Sequence, residues 1–428
     1  MTVRPSAAAL AAALACLTAI AAACGPAAPS PDAVAPSSAN TTPAADAPPP
    51  SASTDTAGLR QAVVETYADI AYATYADALR TADDLQDAID AFLADPTDAT
   101  LAAAKTAWLT SRDVYGQSEA FRFYGGPIDD AETGVEGLVN AWPLDEAYLD
   151  YVDGDPEAGI VNAVMKHPEI GAALLVDLNE VGGEKNIATG FHAIEFLLWG
   201  QDLSVDGPGK RPVSDYVVGD GTNTMGDGTN IMGEGINAER RRQVLALEAD
   251  LLTQHLRRVV DAWDPDEMTG YRAGFVRDVD GSLAKLIGGM SALSRTELSG
   301  ERMAVAYETQ DQEDEHSCFS DNTHKDFIAG VKGIANIWTG SYGAIEGTGL
   351  GDLVAAVDPA QFDELDAQLA AARSAVAAIP APFDVAIKGT DDAPGRVAVE
   401  AAMSALEALG ARLAAAGATL AEAGGGGS

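Results

Sequence analysis

A histidine and a glutamate, His192 and Glu195, stand three residues apart in the apolar segment GFHAIEFLLWG, residues 190–200. In a helix, positions i and i+3 lie on one face, so the two side chains would point the same way. A helix that is apolar on nearly all sides is expected to be buried. An imidazole and a carboxylate on one buried face can chelate a metal ion, as in helical-bundle metal proteins. The alternative is a histidine–glutamate hydrogen bond inside the core.

A second group of polar side chains lies in QDQEDEHSCFSDNTHKD, residues 310–326. Its candidate metal ligands are Asp314, Glu315 and His316, because carboxylate and imidazole together suit iron or zinc. The alternative is a solvated acidic helix end. Cys318 lies beside His316, but a single cysteine near a histidine is weak evidence for a catalytic nucleophile.

A third group lies in SRDVYGQSEAFR, residues 111–122, where Arg112, Glu119 and Arg122 share one predicted helix. Glu119 is either a metal ligand or the ion-pair partner of its arginine neighbours, and the sequence leaves both open. The chain contains no H-E-x-x-H motif, no G-x-S-x-G motif and no glycine-rich phosphate loop followed by Lys and Ser or Thr. A metallopeptidase needs three protein ligands and an open water position, so an enzymatic activity stays uncertain.

Helical periodicity runs through almost the whole chain and would position these three groups. Apolar spacings of three and four residues begin near residue 57, with breaks at Pro96 and at GGP, residues 125–127. No segment shows sustained strand alternation. The sequence therefore predicts an all-α fold of two four-helix-bundle-type domains, over residues 57–237 and 238–423. A Gly/Asp/Asn-rich surface loop is expected at 219–237, and residues 424–428 form a Gly/Ser tail.

An internal repeat indicates that the two domains are related. GVEGLVNAW, residues 134–142, and GVKGIANIW, residues 330–338, are identical at five of nine positions. The same offset aligns Glu119 with Glu315. Chance similarity between helical sequences is the alternative. We expect an internal duplication that brings both glutamates to one interface.

The chain is strongly acidic. It has 65 acidic and 26 basic residues, a formal net charge of −39. Phosphate binding needs the opposite sign, so nucleic acid is excluded as an expected partner. The excess of acidic residues favours a well-solvated surface and attracts cations.

The first 24 residues predict an export signal. Arg4 precedes a short apolar stretch that ends in small residues. Cys24, followed by glycine, resembles the lipid-modified cysteine of bacterial lipoproteins; ordinary cleavage after Ala23 is the alternative. Residues 25–56 are rich in Pro, Ala, Ser and Thr and predict a disordered tether to the folded part. Only Cys318 remains in that part, so no internal disulfide is expected there.

Together these features resemble the imelysin family, in particular its iron-regulated protein A-like lipoproteins. The resemblance covers about residues 57–423. It rests on YADIAYATYADAL, YGQSEAFRFYGGPIDD, GFHAIEFLLWGQD and EDEHSCFSDNTH. It implies two helical bundles with a site near their interface that includes Gly190, His192 and Glu195 of a G-x-H-x-x-E motif. The family name carries a peptidase label, whereas the role implied for these relatives is bacterial iron acquisition at the cell envelope.

We therefore predict a lipid-anchored protein of the bacterial cell envelope that binds a metal ion, free or as a chelate, between two bundles. The expected metal is iron, with zinc or another divalent ion as the alternative. The predicted ligands are His192, Glu195, Glu119 and Glu315, with His316, Asp314, Gly190 and Arg112 as secondary candidates. Expected partners are the membrane, through Cys24, and an envelope iron-transport protein. The rival functions are a metallopeptidase that uses the H-x-x-E pair and a scaffold for a protein or organic ligand.

Overall fold

The computed structural model describes residues 56–204, 207–218 and 237–425. The regular secondary structure of this part is almost entirely helical, which confirms the predicted all-α fold. The α-helices are α1 (Thr56–Ala94), α2 (Asp98–Tyr115), α3 (Glu136–Val139), α4 (Glu146–Leu149), α5 (Gly159–Asn162), α6 (Ala172–Leu178), α7 (Phe191–Trp199), α8 (Ala238–Ala262), α9 (Tyr271–Arg277), α10 (Val279–Ala292), α11 (Ala304–Thr309), α12 (Thr323–Thr339), α13 (Leu350–Val357), α14 (Pro359–Ala377), α15 (Phe383–Ala386) and α16 (Pro394–Gly425). The other elements are the 3₁₀ segments Gly116–Phe121, Val213–Tyr216 and Gln312–Asp314, the π-helical segment Leu293–Met303, and the strands β1 (Ser341–Tyr342) and β2 (Ile345–Glu346), which pair in antiparallel fashion.

Local sequence explains where several of these helices begin. α2 follows Pro96, and Thr97 forms a reciprocal capping box with Thr100. At α14 the Asp358 side chain accepts from two backbone N–H groups, and proline occupies the first helical turn. These caps satisfy N–H groups that have no partner within the helix.

Two groups of four helical stretches make up most of the described part. In the first, α1 packs against α2 and α8, and α7 contacts both α2 and α8. In the second, the stretch from α10 through the π-helical segment to α11 packs on α16, which packs on α14, which contacts α12. Because α1 also contacts α10 and α13, the described part forms one compact unit. The proposed domain boundary at residues 237/238 stays a prediction. The helix α8, which follows this boundary, packs on α1, which precedes it.

The helical stretch from Val279 to Thr309 is longer than local sequence indicates. Its first half was missed because Gly281, Gly288 and Gly289 lower the local helix propensity, whereas packing on α16 stabilises the helix. The helices α9 and α13 and the small hairpin were also not predicted. The signal, Cys24, nearly all of the tether, the core of the Gly/Asp/Asn-rich loop and the end of the tail lie outside the described residues. None of the described helices has the length and apolar character needed to span a membrane.

The two copies of the proposed repeat differ in local structure. Residues 134–142 contain only the single turn α3, whereas residues 330–338 lie inside the 17-residue helix α12. The internal duplication is therefore not confirmed and stays a prediction.

The close packing of α12 on the Gly116–Phe121 segment requires glycine at position 333. A Cβ there would overlap the Gln117 carbonyl oxygen and lie 3.1 Å from the Ala120 Cβ. We expect Gly333→Ala to lower the free energy of unfolding by about 1–3 kcal/mol, as measured by urea denaturation. Gly288→Ala is the matched control, because nothing lies within 4 Å of a Cβ at that exposed helical position; it should raise the free energy by about 0.5–1 kcal/mol. Equal effects of the two substitutions would contradict this account of the contact.

Candidate functional site

The helix α7 carries the H-x-x-E pair, and all nine of its residues are buried. Gly190 precedes it with φ of +94°, and a Cβ there would lie 2.6 Å from the Val139 carbonyl oxygen. Only glycine tolerates both conditions. The Gly190 N–H donates to Oε2 of buried Glu248 on α8 at 3.1 Å. The motif glycine thus has a backbone role, which places the first turn of α7 against both α8 and the end of α3.

His192 and Glu195 contact each other inside the core. His192 Nδ1 and Glu195 Oε2 lie 3.0 Å apart, and Glu195 is 0 % exposed. Oε1 of Glu195 accepts from the backbone N–H of Ser320 at 2.9 Å and from its hydroxyl at 2.6 Å. Burial raises the pKa of Glu195 to about 8, against the lowering effect of these hydrogen bonds. No Lys or Arg among the described residues forms an ion pair with Glu195.

The order of these three side chains argues against a serine nucleophile. The Glu195 carboxyl group lies between the Ser320 hydroxyl and the His192 ring. In a catalytic triad the imidazole lies between hydroxyl and carboxylate, where it takes the proton of the hydroxyl. Cys318 is a poor nucleophile as well, because burial raises the pKa of its thiol well above the ordinary range.

The guanidinium of Arg112 occupies the space beside the pair. Its Nε donates to Asp326 Oδ1 at 3.2 Å, and one terminal nitrogen donates to Asn140 Oδ1. The other terminal nitrogen lies 3.4 Å from His192 Nε2 and 3.2 Å from His316 Nδ1. Burial, reinforced by Arg112, lowers the pKa of His192 well below its ordinary value. The imidazole is therefore neutral at pH 7.

His316 joins this group from the loop before α12. Its ring centroid lies 4.7 Å from that of His192, and its Nδ1 lies 2.7 Å from Asp326 Oδ2. Asp326 Oδ2 also accepts from the Ser317 hydroxyl at 2.6 Å. Burial, with Arg302 and Arg112 next in effect, lowers the pKa of His316 well below its ordinary value. Two neutral imidazoles and one guanidinium thus converge at the junction of α2, α7 and α12.

Glu119 lies beside this junction and contacts two arginines and an asparagine. Its Oε2 accepts from Arg122 at 2.6 Å and from Arg302 at 2.8 Å, and its Oε1 accepts from Asn140 at 3.0 Å. Burial opposes ionisation, yet Arg122, Arg302 and Arg112 lower the pKa of Glu119 to about 2. These contacts are the ion pairs that the second interpretation of Glu119 expects. A role for Glu119 as a metal ligand stays a prediction.

Glu315 lies in a different, acidic environment. It is buried, and neither carboxyl oxygen makes a hydrogen bond of good geometry among the described residues. Burial first, and then Asp384, raise its pKa well above the ordinary value, while the Thr323 hydroxyl opposes the shift. Asp314 precedes it, half-buried in the Gln312–Asp314 turn. The contacts of Glu315 and Asp314 do not include the His192–Glu195 pair.

The side chains present do not form a complete metal-binding set. Across the described ranges 56–204, 207–218 and 237–425, no three His, Cys, Asp or Glu side chains are grouped so that they could hold a metal ion. His192 and Glu195 are two possible donors, and the next nearest imidazole, that of His316, is held by Asp326 and Arg112. This donor set does not fit a resident catalytic zinc, which takes three protein ligands.

Sequence reasoning missed four residues that shape the site: Ser320, Asp326, Asn140 and Glu248. Each is polar and buried, and buried polar groups are hydrogen-bonded almost without exception. They come from three separate parts of the chain, and although Ser320 and Asp326 lie in the polar segment 310–326, no motif distinguishes them from its other polar residues. Arg302, on the π-helical segment, was missed for the same reason, although π-helical turns are frequent at functional sites.

The raised pKa of Glu195 makes protein stability depend on pH. Folded protein keeps this carboxyl group protonated up to about pH 8, whereas the unfolded chain releases the proton near the ordinary value of about 4.3. Wild-type stability should therefore fall, relative to Glu195→Gln, as pH rises from about 4 to about 8, and the gap should then stay constant. Urea denaturation at several pH values checks this, since the other titrating groups cancel in the difference. A gap that does not change with pH would contradict the assignment.

Comparisons with known proteins identify the family and the fold. The family model described as Imelysin matches residues 71–413. Iron-regulated protein A of Synechococcus elongatus is 25% identical over 359 residues, which cover 81% of this chain and 80% of that protein.

Two crystal structures share the fold. One, described as an iron-regulated protein A precursor from Parabacteroides distasonis, has a TM-score of 0.64 at 18% identity and covers 85% of this chain and 95% of its own. An imelysin-like protein from Psychrobacter arcticus has a TM-score of 0.55 at 14% identity, covering 84% and 94%. Since the family model spans most of the chain, and the G-x-H-x-x-E residues lie on a buried helix between α2 and α8, the chain belongs to the imelysin family.

Proposed function

We propose that this protein binds iron at the bacterial cell envelope, as a lipid-anchored component of iron acquisition. Family membership and the name of the Synechococcus elongatus relative support an iron-related role. Iron is the cargo in this proposal, and His192 and Glu195 are the residues that contact it.

The observation that carries the proposal is the carboxyl group of Glu195. It is fully buried beside a neutral imidazole, and no Lys or Arg of the described residues forms an ion pair with it. An unpaired carboxylate in the core costs several kcal/mol, so such a site retains a proton or takes up a cation. Imidazole and carboxylate are both ligands that iron accepts.

The second part of the proposal concerns location. Cys24 follows an apolar stretch and precedes a tether rich in Pro, Ala, Ser and Thr. Such a tether lets a folded domain reach a partner some distance from its anchor. We propose lipid attachment at Cys24 and an envelope iron transporter as the partner that receives the iron.

Iron binding can be tested with the full chain after metal removal. Wild-type protein loaded with ferric citrate and desalted should retain one iron per chain by elemental analysis. His192→Ala and Glu195→Gln should each weaken binding at least about tenfold, because each removes one of two donors. His167→Gln is the matched control, since His167 lies in the loop after α5 and makes no contact with the network around Arg112.

Circular dichroism separates lost binding from lost folding in these variants. A folded wild type that retains no iron would contradict the proposal. Equal loss in His192→Ala and His167→Gln would contradict the assignment of the site.

The anchor can be tested in a bacterial host. Cys24→Ala should move the protein from the membrane fraction to the soluble fraction, because each buried CH₂ of a lipid chain contributes about 0.8 kcal/mol to membrane affinity. Immunoblots of the two fractions measure this, with Cys318→Ala as the cysteine control. Wild-type protein that stays in the soluble fraction would refute lipid attachment.

A further inference from the structure

A groove runs between α12 and α14, on the outer side of the second group of helices. Its volume is about 420 Å³, which is within the range of small-molecule sites. Asp326, on the buried side of α12, belongs to the Arg112 network, whereas Ile328 and Lys332 of the same helix are exposed. The residues that line the groove include no member of that network.

Apolar side chains from both helices form most of the wall of the groove. Val331 of α12 and Val376 of α14 are buried, and Ile328 is 37 % exposed. Ala370 and Ala377 of α14 complete this apolar part of the wall. Sites for small molecules are commonly built in this way, with mainly apolar walls and a few polar groups that fix the ligand. A ligand for this groove therefore needs an apolar body.

The charged residues of the groove are both basic. Lys332 of α12 and Arg373 of α14 line it, and no acidic residue of the described part does, although the chain has 65 acidic and only 26 basic residues. Neither side chain forms an ion pair or a hydrogen bond with another described residue. Asp113 of α2 does interact electrostatically with Lys332, but Lys325 shares that carboxyl group, and Asp113 does not line the groove. The groove therefore keeps positive charge and hydrogen-bond donors that are available to an anion.

The net charge of the chain decides which kind of anion suits this groove. At a formal charge of −39, the protein repels a polyanion, such as an acidic protein segment or an anionic bilayer, in proportion to the charge of that partner. A small monoanion experiences far less of this repulsion, and salt screens charges that are more than about 8 Å away at physiological ionic strength. The two cations that line the groove can thus bind a single carboxylate although the rest of the protein is acidic.

We propose that the groove between α12 and α14 binds a small amphipathic monoanion, a carboxylate joined to an apolar chain. The carboxylate lies between Lys332 and Arg373, where charge-assisted hydrogen bonds hold it. The apolar chain packs on Ile328, Val331 and Val376 and is removed from water there. The site uses neither His192 nor Glu195, so this proposal is independent of iron binding.

Isothermal titration calorimetry of the full-length protein with sodium octanoate tests the proposal. Two further probes separate the parts of the ligand, since acetate lacks the apolar chain and octan-1-ol lacks the charge. We expect one octanoate per chain, and binding of acetate and of octanol that is at least about tenfold weaker. Equally tight binding of acetate or octanol, or no binding of octanoate by folded protein, would overturn the proposal.

Substitutions at exposed positions test the site with little effect on the fold. The double variant Lys332→Gln/Arg373→Gln removes both charges, and Ala370→Leu narrows the groove while it keeps them. Each should weaken octanoate binding at least about tenfold. Lys166→Gln is the matched control, because Lys166 is an exposed lysine in the loop after α5, outside the groove. Unchanged affinity in either groove variant would refute the assignment of the site.

Two larger anions test for a different occupant. A polyglutamate peptide and vesicles of phosphatidylglycerol are each compared on the wild type and on the Lys332→Gln/Arg373→Gln variant, so that any contribution of the N-terminal segment cancels. We expect no difference between the two proteins, because the net charge of the chain repels both probes. Binding of either probe that is tighter than that of octanoate and is lost in the variant would overturn the small monoanion in favour of an acidic protein segment or an anionic membrane.

Discussion

The buried guanidinium of Arg112 is the contact on which the arrangement of this site depends. From α2 it reaches Asp326 on α12, Asn140 after α3, and the rings of His192 and His316. These residues come from distant parts of the chain, so one side chain sets the separation of α2, α7 and α12. Such a buried charge is tolerated only because Asp326 is paired with it and the other nitrogens have polar neighbours. The same requirement orders His316, which shares Asp326 with Arg112.

Two buried glutamates near this arginine show how the neighbouring groups set the pKa of a carboxyl group. Glu119 meets Arg122 and Arg302, and despite its burial its pKa falls to about 2. Glu195 meets a neutral imidazole and a serine, and burial raises its pKa to about 8. One group is a permanent anion that stabilises the junction of the helices. The other retains a proton because burial disfavours its charged form.

Much of the helical architecture could be predicted from the amino-acid sequence. Apolar periodicity indicated the long helices α1, α2, α8, α12, α14 and α16, because the buried face of an amphipathic helix shows in the spacing of its apolar residues. The helix around Gly288 and Gly289 was not predicted from the sequence, because its stability comes from packing on α16 and not from local helix propensity. Within the site, the H-x-x-E spacing correctly placed two side chains in contact, because i and i+3 neighbours meet within a single helix. The pairing of Glu119 with Arg122 is likewise local in sequence.

By itself, the sequence determined the fold class, the family and the two residues of α7 that face each other. Tertiary structure alone decided their environment. Ser320 reaches Glu195 across 125 positions of the chain, and Arg112 reaches His316 across 204. Glu315, aligned with Glu119 by the proposed repeat, lies among carboxyl groups instead of arginines. Charge, protonation and ligand geometry depend on distances between side chains that are remote along the chain, and no local pattern of residues encodes those distances.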